Sequence, residues 1–316
     1  MAVTVEPING TFARRVKDLD LERDISEGDK SLILQAWVEA GVLVFPGLGK
    51  SNDALFRLSR CFGDLEIAPT KNLISDENPY LLDLSHDPAK SSTLSDFYVE
   101  WNGEPRTGYL GWHWDMSYTP GTVRGAVLRM LETPERGGET GFIDGADAFD
   151  RMPNALKQRL EGLEVVYLAG MAPNPICYGA GVVVKARPPE HLALEGANAT
   201  SKFPPTVHPM IITQRETGRK VLKLSPMLCA YVLGWDRASS QALFEEIAQY
   251  LLDEHYAYFH HWEVDDLVAW DNWRIIHTAC GVPPEMRRRV VRTTIADEYK
   301  LGRLLGGGDY HPVRAR

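Results

Sequence analysis

Cysteine is scarce in this chain of 316 residues, and the four present, Cys61, Cys177, Cys229 and Cys280, stand far apart with no Cys-x-x-Cys spacing. That argues against a thiolate zinc site or a disulfide framework, and for buried free thiols in a reducing compartment. Long apolar runs are missing too: nothing approaches the ~18 apolar residues of a membrane-spanning helix. Met1 to Pro7 lacks the charged start and apolar stretch of a secretion signal. A soluble, cytoplasmic protein is expected. Positive charge is in deficit, with 34 Lys and Arg against 43 Asp and Glu for a formal charge of −9. A nucleic-acid-binding surface is basic, so neither nucleic acid nor membrane is an expected partner. The remaining composition, 44% hydrophobic and 24% charged, is that of an ordinary globular protein. The length allows a sizeable core in a single domain over 1–316.

No linker or internal repeat interrupts the chain. Residues 1–20 form two short strands around an Asn9-Gly10 turn. Asp29 to Ala40 carries Leu32, Ile33, Ala36, Trp37 and Ala40 near helical spacing. Val42 to Phe45 is a buried-strand run ended by Pro46-Gly47, and Ser51 is the N-cap of a helix through Leu55, Leu58 and Phe62. Pro79 to Leu84 and Arg124 to Leu131 are strands. Ala146 to Leu160 is helical with an interruption at Met152-Pro153, and Ser239 to His255 is an amphipathic helix. Val207 to Thr213 and Lys220 to Leu224 pair around Thr217-Gly218. Tyr256 to Val264, Leu267 to Trp270 and Val290 to Ile295 are further strands. His86 to Arg106 is expected as a polar loop and candidate lid, and 171–206 as an irregular segment rich in Pro, Gly and Ala. Glu135, Arg136 and the Asp144 to Asp147 turn are expected to be solvated. Many strands, with helices at the start and between them, indicate a mixed α/β protein with a jelly-roll core and flanking helices.

The most telling residues are His113 and Asp115 in Gly111-Trp112-His113-Trp114-Asp115, and His277 in Trp270-Asp271-Asn272-Trp273-Arg274-Ile275-Ile276-His277. Two imidazoles and one carboxylate make the facial triad that holds non-haem Fe(II) and leaves coordination positions open. Residues two apart share a strand face, so His113 and Asp115 can address one ion, with His277 supplied by a strand alongside. His-x-Asp alone is a weak signal in a chain with 9 histidines. Similar ligands serve a zinc-dependent hydrolase, and a non-catalytic jelly-roll binding protein is the alternative outside enzymes. The residues that follow each histidine weigh against both. Thr140 stands 27 positions after His113, in Gly137-Gly138-Glu139-Thr140, and Arg288 and Arg292 stand 11 and 15 after His277.

With Gly41 to Phe45, Phe62-Gly63-Asp64-Leu65 and Trp270-Asp271-Asn272, these spacings extend over most of the chain. The sequence resembles the taurine dioxygenase and chlorophenoxyacetate dioxygenase (TauD/TfdA) family of Fe(II)/2-oxoglutarate enzymes. The resemblance implies a double-stranded β-helix core. It implies that His113, Asp115 and His277 bind Fe(II), that Thr140 and Arg288 bind the distal carboxylate of the cosubstrate 2-oxoglutarate, and that O2 uses an open position. Arginine suits its role because the planar fork makes two charge-assisted hydrogen bonds to a carboxylate. Strand alternation sets Arg288 apart from Arg287 and Arg289 and puts Arg292 on its face. Arg292 matches the position that contacts the anionic group of the substrate in taurine dioxygenase; a structural or cosubstrate contact is the competing reading. Other taurine contacts fall on Ala68, Tyr109 and near Leu228, so taurine is not the expected substrate. Asp115 stands where related halogenases carry a small residue, which argues against halogenation. The expected reaction is oxidation, by default hydroxylation, of a small or medium organic acid with release of succinate and CO2. The expected partner is that anionic small molecule, and homo-oligomerisation is left open. Tyr109, Trp112, Trp114 and Tyr118 flank the triad, either as cavity lining or as core.

Overall fold

The first helix follows from local chemistry. At its start the Ser26 side chain accepts from the Asp29 N–H, and Gly41 ends Glu27–Ala40 in the left-handed conformation, φ 78°; both are residues such ends favour. A Cβ on Gly41 would lie 2.7 Å from Ile275 Cδ1, so this glycine also lets the helix end press on the strand that carries His277. Ile33 and Trp37 face inward from Glu27–Ala40, as do Leu55 and Leu58 from Asn52–Ser59, which Ser51 caps. They form a core with Leu43, Phe45, Val127 and Leu267 of the sheet beneath. The structure is a computed structural model, and it describes residues 2–89, 98–169, 176, 182–184, 203–297 and 299–308.

Among the described residues that sheet has eight strands. The main path is Thr4–Pro7, Arg14–Lys17, Val42–Phe45, Leu267–Asp271, Gly125–Glu132, Arg289–Ile295 and Leu65–Glu66, with Leu82–Asp83 also paired to Arg289–Ile295. A six-stranded sheet faces it: Val182–Val184, Tyr98–Trp101, Glu104–His113, Ile275–Val282, Thr140–Asp144 and Tyr258–His260. Leu128, Met130, Val268, Trp270 and Val290 from one sheet meet Phe142 and Tyr258 from the other in the layer between. The outer side of the second sheet is also buried. Trp112, Ile143 and Ile276 pack there on Phe149, on Phe244 and Ile247 of Arg237–Leu251, and on Val165 and Tyr167 of a third, four-stranded sheet. The fold is mixed α/β and rich in strands. No helix among the described residues is long and apolar enough to cross a membrane.

Most expected elements appear with boundaries moved by a few residues. The interrupted helix is Gly145–Arg151 followed by Asn154–Leu160, and the turn at Thr217-Gly218 joins Ile211–Thr213 to Lys220–Leu222. Two expectations change. His86 to Arg106 is not a loop throughout, because Tyr98–Trp101 and Glu104–His113 pair as an antiparallel hairpin. The turn is Asn102-Gly103, at φ 51° and 83°, and Asn-Gly is a strong hairpin signal that the polar composition concealed. Residues 90–97 of that segment lie outside the described residues, as do Cys177 and most of 171–206. Nor is Asp144 solvated. It is 1% exposed, caps the next helix through the Ala146 N–H at 2.8 Å, and accepts from Arg274 Nε at 2.8 Å. Asp147 is the more open of the two and pairs with Arg219 at 2.7 Å.

Candidate active site

His113 is the last residue of its strand, and His277 is its cross-strand partner, so register alone stacks the two rings at 4.2 Å. Asp115 stands two residues beyond the strand rather than on it, where the chain turns through Met116 at φ 64°. Nε2 of His113 lies 3.9 Å from Asp115 Oδ1, and Nε2 of His277 lies 3.9 Å from Oδ2. The three ligand atoms fall within 4.8 Å of one another, so a modest inward turn of the side chains would bring each to the ~2.0–2.2 Å that separates a ligand from a common ion. His113 Nδ1 meets the Gly111 carbonyl at 2.7 Å. That bond makes Nδ1 the donor and leaves the Nε2 lone pair for metal. Burial lowers the pKa of both histidines, and for His277 the neighbouring His113 adds to it; neutral imidazole is the form that ligates. Burial opposes the charge on Asp115, but Arg292, then His277 and His113, outweigh it and hold the carboxyl well below the usual range.

A further layer fixes Asp115. Asn272, in the turn between Leu267–Asp271 and Ile275–Val282, accepts from the Asp115 N–H at 2.7 Å and donates to the carbonyls of Asp115 at 3.1 Å and Val123 at 3.0 Å. Beneath it Lys223 is 2% exposed; its ammonium donates to the Asn272 carbonyl and lies 4.2 Å from the Trp114 ring centroid. Burial pushes the Lys223 pKa down to about 7 against the pull of Asp271 and Asp297. Neither role was foreseen. Asn272 belongs to a motif singled out by sequence, but its partners are set by tertiary packing, and Lys223 read as an ordinary residue at a strand end. Trp112 and Trp114, 1% and 0% exposed, are core residues rather than cavity lining.

The remaining expected site residues divide. The register of the His113 strand shifts between His277 and Ala279, so that Leu110 pairs with Ala279 and Tyr109 with Cys280. Ala279 shares the inward face of His277. The extra residue therefore turns Leu110 inward, where it is 38% exposed, and turns Tyr109 to the outer face, where it packs with Val99 and Met227. Leu228 packs on the outer core as well. Ala68 is buried, and two residues on Thr70 bonds Tyr118, whose hydroxyl feels the charge of Asp115. Thr140 pairs with Ala279 on the inward face. Arg288 precedes the strand Arg289–Ile295, which bulges between Arg289 and Val290; it is half-buried between exposed Arg287 and Arg289. Its stem runs past Gly138, where a Cβ would lie 3.3 Å from Arg288 Cδ and 2.9 Å from Pro134 Cγ. Gly138 thus leaves the room through which the Arg288 stem passes. Burial lowers the Arg288 pKa to about 10, against Cys280 and Glu139, and its Nε is buried without a partner. The arginine lines a partly open space of about 30 Å³ with His86, Thr107 and Glu139, room for a water. A larger cleft of about 710 Å³, between Arg15, Lys17, Tyr258 and His260, contains no triad residue. Arg292 places Nη1 2.9 Å from both Asp115 oxygens.

The chain as a whole has counterparts among known proteins. Residues 4–294 match the family described as taurine catabolism dioxygenase TauD, TfdA family. The chain belongs to the TauD/TfdA family. The alpha-ketoglutarate-dependent 2,4-dichlorophenoxyacetate dioxygenase of Cupriavidus pinatubonensis is 27% identical, over 94% of this chain and 99% of that protein. The (S)-phenoxypropionate/alpha-ketoglutarate-dioxygenase of Sphingobium herbicidovorans is 26% identical over 94% and 96%. A putative alpha-ketoglutarate dependent 2,4-D dioxygenase from Burkholderia xenovorans superposes with a TM-score of 0.69 at 25% identity, covering 94% of this chain and 98% of that one. As a TauD/TfdA member the chain is an Fe(II)- and 2-oxoglutarate-dependent dioxygenase, and neither a zinc hydrolase nor a non-catalytic binding protein finds support among these relatives. The residues present fit that equipment: two neutral imidazoles and an ionised carboxylate converge, and Arg288 holds a buried nitrogen without a partner.

Proposed function

We propose that the substrate is a small or medium organic acid, oxidised by default through hydroxylation, with its anion at Arg292. The observation that carries this is the half-used fork of Arg292. Nη1 serves Asp115, Nε is buried without a partner, and the guanidinium makes no other hydrogen bond among the described residues. Buried donors left unmatched are costly, and an anionic group would complete them. The compounds for which the two relatives are named, 2,4-dichlorophenoxyacetate and (S)-phenoxypropionate, are carboxylates, which supports the reading. For the body of the substrate we assign the inward Leu110 and Ala279, with the Ala68 segment beside Tyr118, in place of Tyr109 and Leu228.

His113, Asp115 and His277 would hold Fe(II), and with 2-oxoglutarate it would supply the O2 activation that oxidises a substrate C–H bond, giving succinate and CO2. The protein's part is placement. Arg288 and Thr140 donate to the distal carboxylate of the cosubstrate. Asn272 fixes the backbone on both sides of the Asp115 side chain, and Arg292 fixes its oxygens. The facing sheets support a double-stranded β-helix in a single domain over 1–316, and scattered free thiols suit a cytoplasmic setting. The test screens carboxylates, sulfonates and sulfate esters for substrate-dependent succinate release, then compares Arg292→Ala with the parent on an active acid and its neutral ester. A selective loss on the acid supports the assignment. Equal losses on both favour the second reading, that Arg292 serves Asp115 alone, which its bonds to both carboxylate oxygens also suggest.

A further inference from the structure

A β-bulge disrupts the strand ladder locally, and the buried carbonyls it frees need other partners. In Glu104–His113 the bulge is Gly111-Trp112, the two residues that oppose Thr278 between the pairs His113–His277 and Leu110–Ala279. Three successive carbonyls here have partners of their own. The Thr278 hydroxyl donates to the Leu110 carbonyl at 2.5 Å, His113 Nδ1 to the Gly111 carbonyl at 2.7 Å, and the Met227 N–H to the Trp112 carbonyl at 3.0 Å. Thr278 is fully buried. Its methyl faces Gly141 on the other neighbouring strand, where a Cβ would lie 2.8 Å from Thr278 Cγ2 and 2.8 Å from the tip of the Trp112 ring. A β-branched side chain packed in this way has little freedom at χ1, so the hydroxyl stays turned to Leu110. The bulge reaches two sides of the site at once: Gly111 takes the Nδ1 hydrogen of His113, and Leu110 stands inward beside Ala279.

We infer that Thr278 is a positioning residue that locks this bulge, so that one hydroxyl sets both the metal-binding tautomer of His113 and the apolar wall that Leu110 turns toward the substrate. A slip of one residue in a strand exchanges its faces. Without the extra residue the strand would turn Tyr109 inward and Leu110 outward. Thr278 donates to the residue whose direction the bulge decides, and so favours the bulged form. In that form the Gly111 carbonyl keeps Nδ1 of His113 protonated and Nε2 free for a metal. The half of the inference that concerns the substrate rests on the proposed placement of its body against Leu110; the half that concerns His113 does not.

The test uses proton NMR of the Co(II)-loaded protein without substrate. A paramagnetic ion shifts the N–H protons of its histidine ligands, and methyl groups near it, away from the rest of the spectrum. Thr278→Val keeps the side-chain shape and removes the hydroxyl. It is expected to speed solvent exchange of the His113 Nδ1–H about tenfold, the worth of one hydrogen bond, and to shrink the paramagnetic shift of the Leu110 methyls, identified by their loss in Leu110→Met. His277 Nδ1 is buried without a partner, and its exchange should keep its rate. Thr278→Ser, which returns the hydroxyl without the methyl, should restore both readings. A packing role for Thr278 makes the opposite forecast, with Val close to the parent and Ser impaired. Unchanged exchange and an unchanged Leu110 shift in Thr278→Val overturn the inference, and movement of one reading without the other breaks the link between tautomer and wall and overturns it too. Thr278→Ala takes the place of Thr278→Val should the latter not fold. No substrate enters these readings, so the proposal of an organic acid at Arg292 stands or falls separately, by the comparison of acid and ester.

Discussion

The polar atoms of Asp115 itself are matched within the chain. Asn272 takes its N–H and its carbonyl, and Arg292 takes both side-chain oxygens. Around Arg288 they are not. Arg288 Nε and Glu139 Oε2 are buried without partners, and among the described residues the Thr140 hydrogen has no acceptor. The carboxylate of Asp115 is matched before any ligand arrives, whereas Arg292 Nε and His277 Nδ1 beside it, like Arg288 Nε, are buried without partners. Preorganisation of Asp115 favours tight, geometrically fixed ligation, whereas the unmet Arg288 donor would suit a carboxylate.

The sharpest way to break this contrast is at the triad. His113→Ala, Asp115→Ala or His277→Ala should each abolish turnover and iron retention, since each removes one of three protein ligands; near-parent activity in any of them would remove that residue from the ligand set. Next comes Arg288→Ala. Losing one partner of a desolvated charge pair costs roughly 3–5 kcal/mol, so the 2-oxoglutarate requirement should rise more than a hundredfold while bound iron, measured by metal analysis, stays the same. A smaller effect concerns the support behind Asp115. Loss of the layer behind metal ligands weakens metal binding roughly 10–100-fold. Lys223→Met, which leaves the Asn272 carbonyl without its donor, should therefore weaken Fe(II) binding about tenfold. Unchanged Fe(II) affinity would reduce Lys223 to packing.

The smallest effect concerns pH. Burial lowers the pKa of His113, His277 and His208, the last from 6.5 to about 4. Below about 6.5 the unfolded chain takes up protons that these folded histidines refuse, so stability falls with pH. Denaturant titrations of the iron-free protein should show full stability above about 6.5 and a decline from there towards 4. His208→Gln, away from the ligands, should remove part of that slope and leave iron binding intact; an equal slope would place the titration elsewhere.

What the chain discloses before folding depends on where each cause lies. His113, His277 and Thr140 stand on strands, with Asp115 and Arg288 just outside strand ends, so their order survives in one dimension. The caps at Ser26 and Ser51 are equally local. The bulge that turns Tyr109 outward and Leu110 inward is different, because strand alternation gives no sign of one extra residue. Lys223 was hidden for the opposite reason, since its surroundings come from segments far off in sequence. Two misses were avoidable. Asn102-Gly103 announces a hairpin, and Asp144 before Gly145 to Arg151 announces a helix cap.

Asn272 reaches across 157 positions to Asp115, and so ties the turn between the two sheets to the end of the His113 strand. Strand pairs such as Trp270 with Val42 and His277 with His113 span as much sequence. The metal site therefore closes with the sheets rather than before them, and the ion does not serve as a nucleus. Fe(II) should leave the refolding rate almost unchanged and slow unfolding instead, the kinetic signature of a stabilising interaction absent from the transition state.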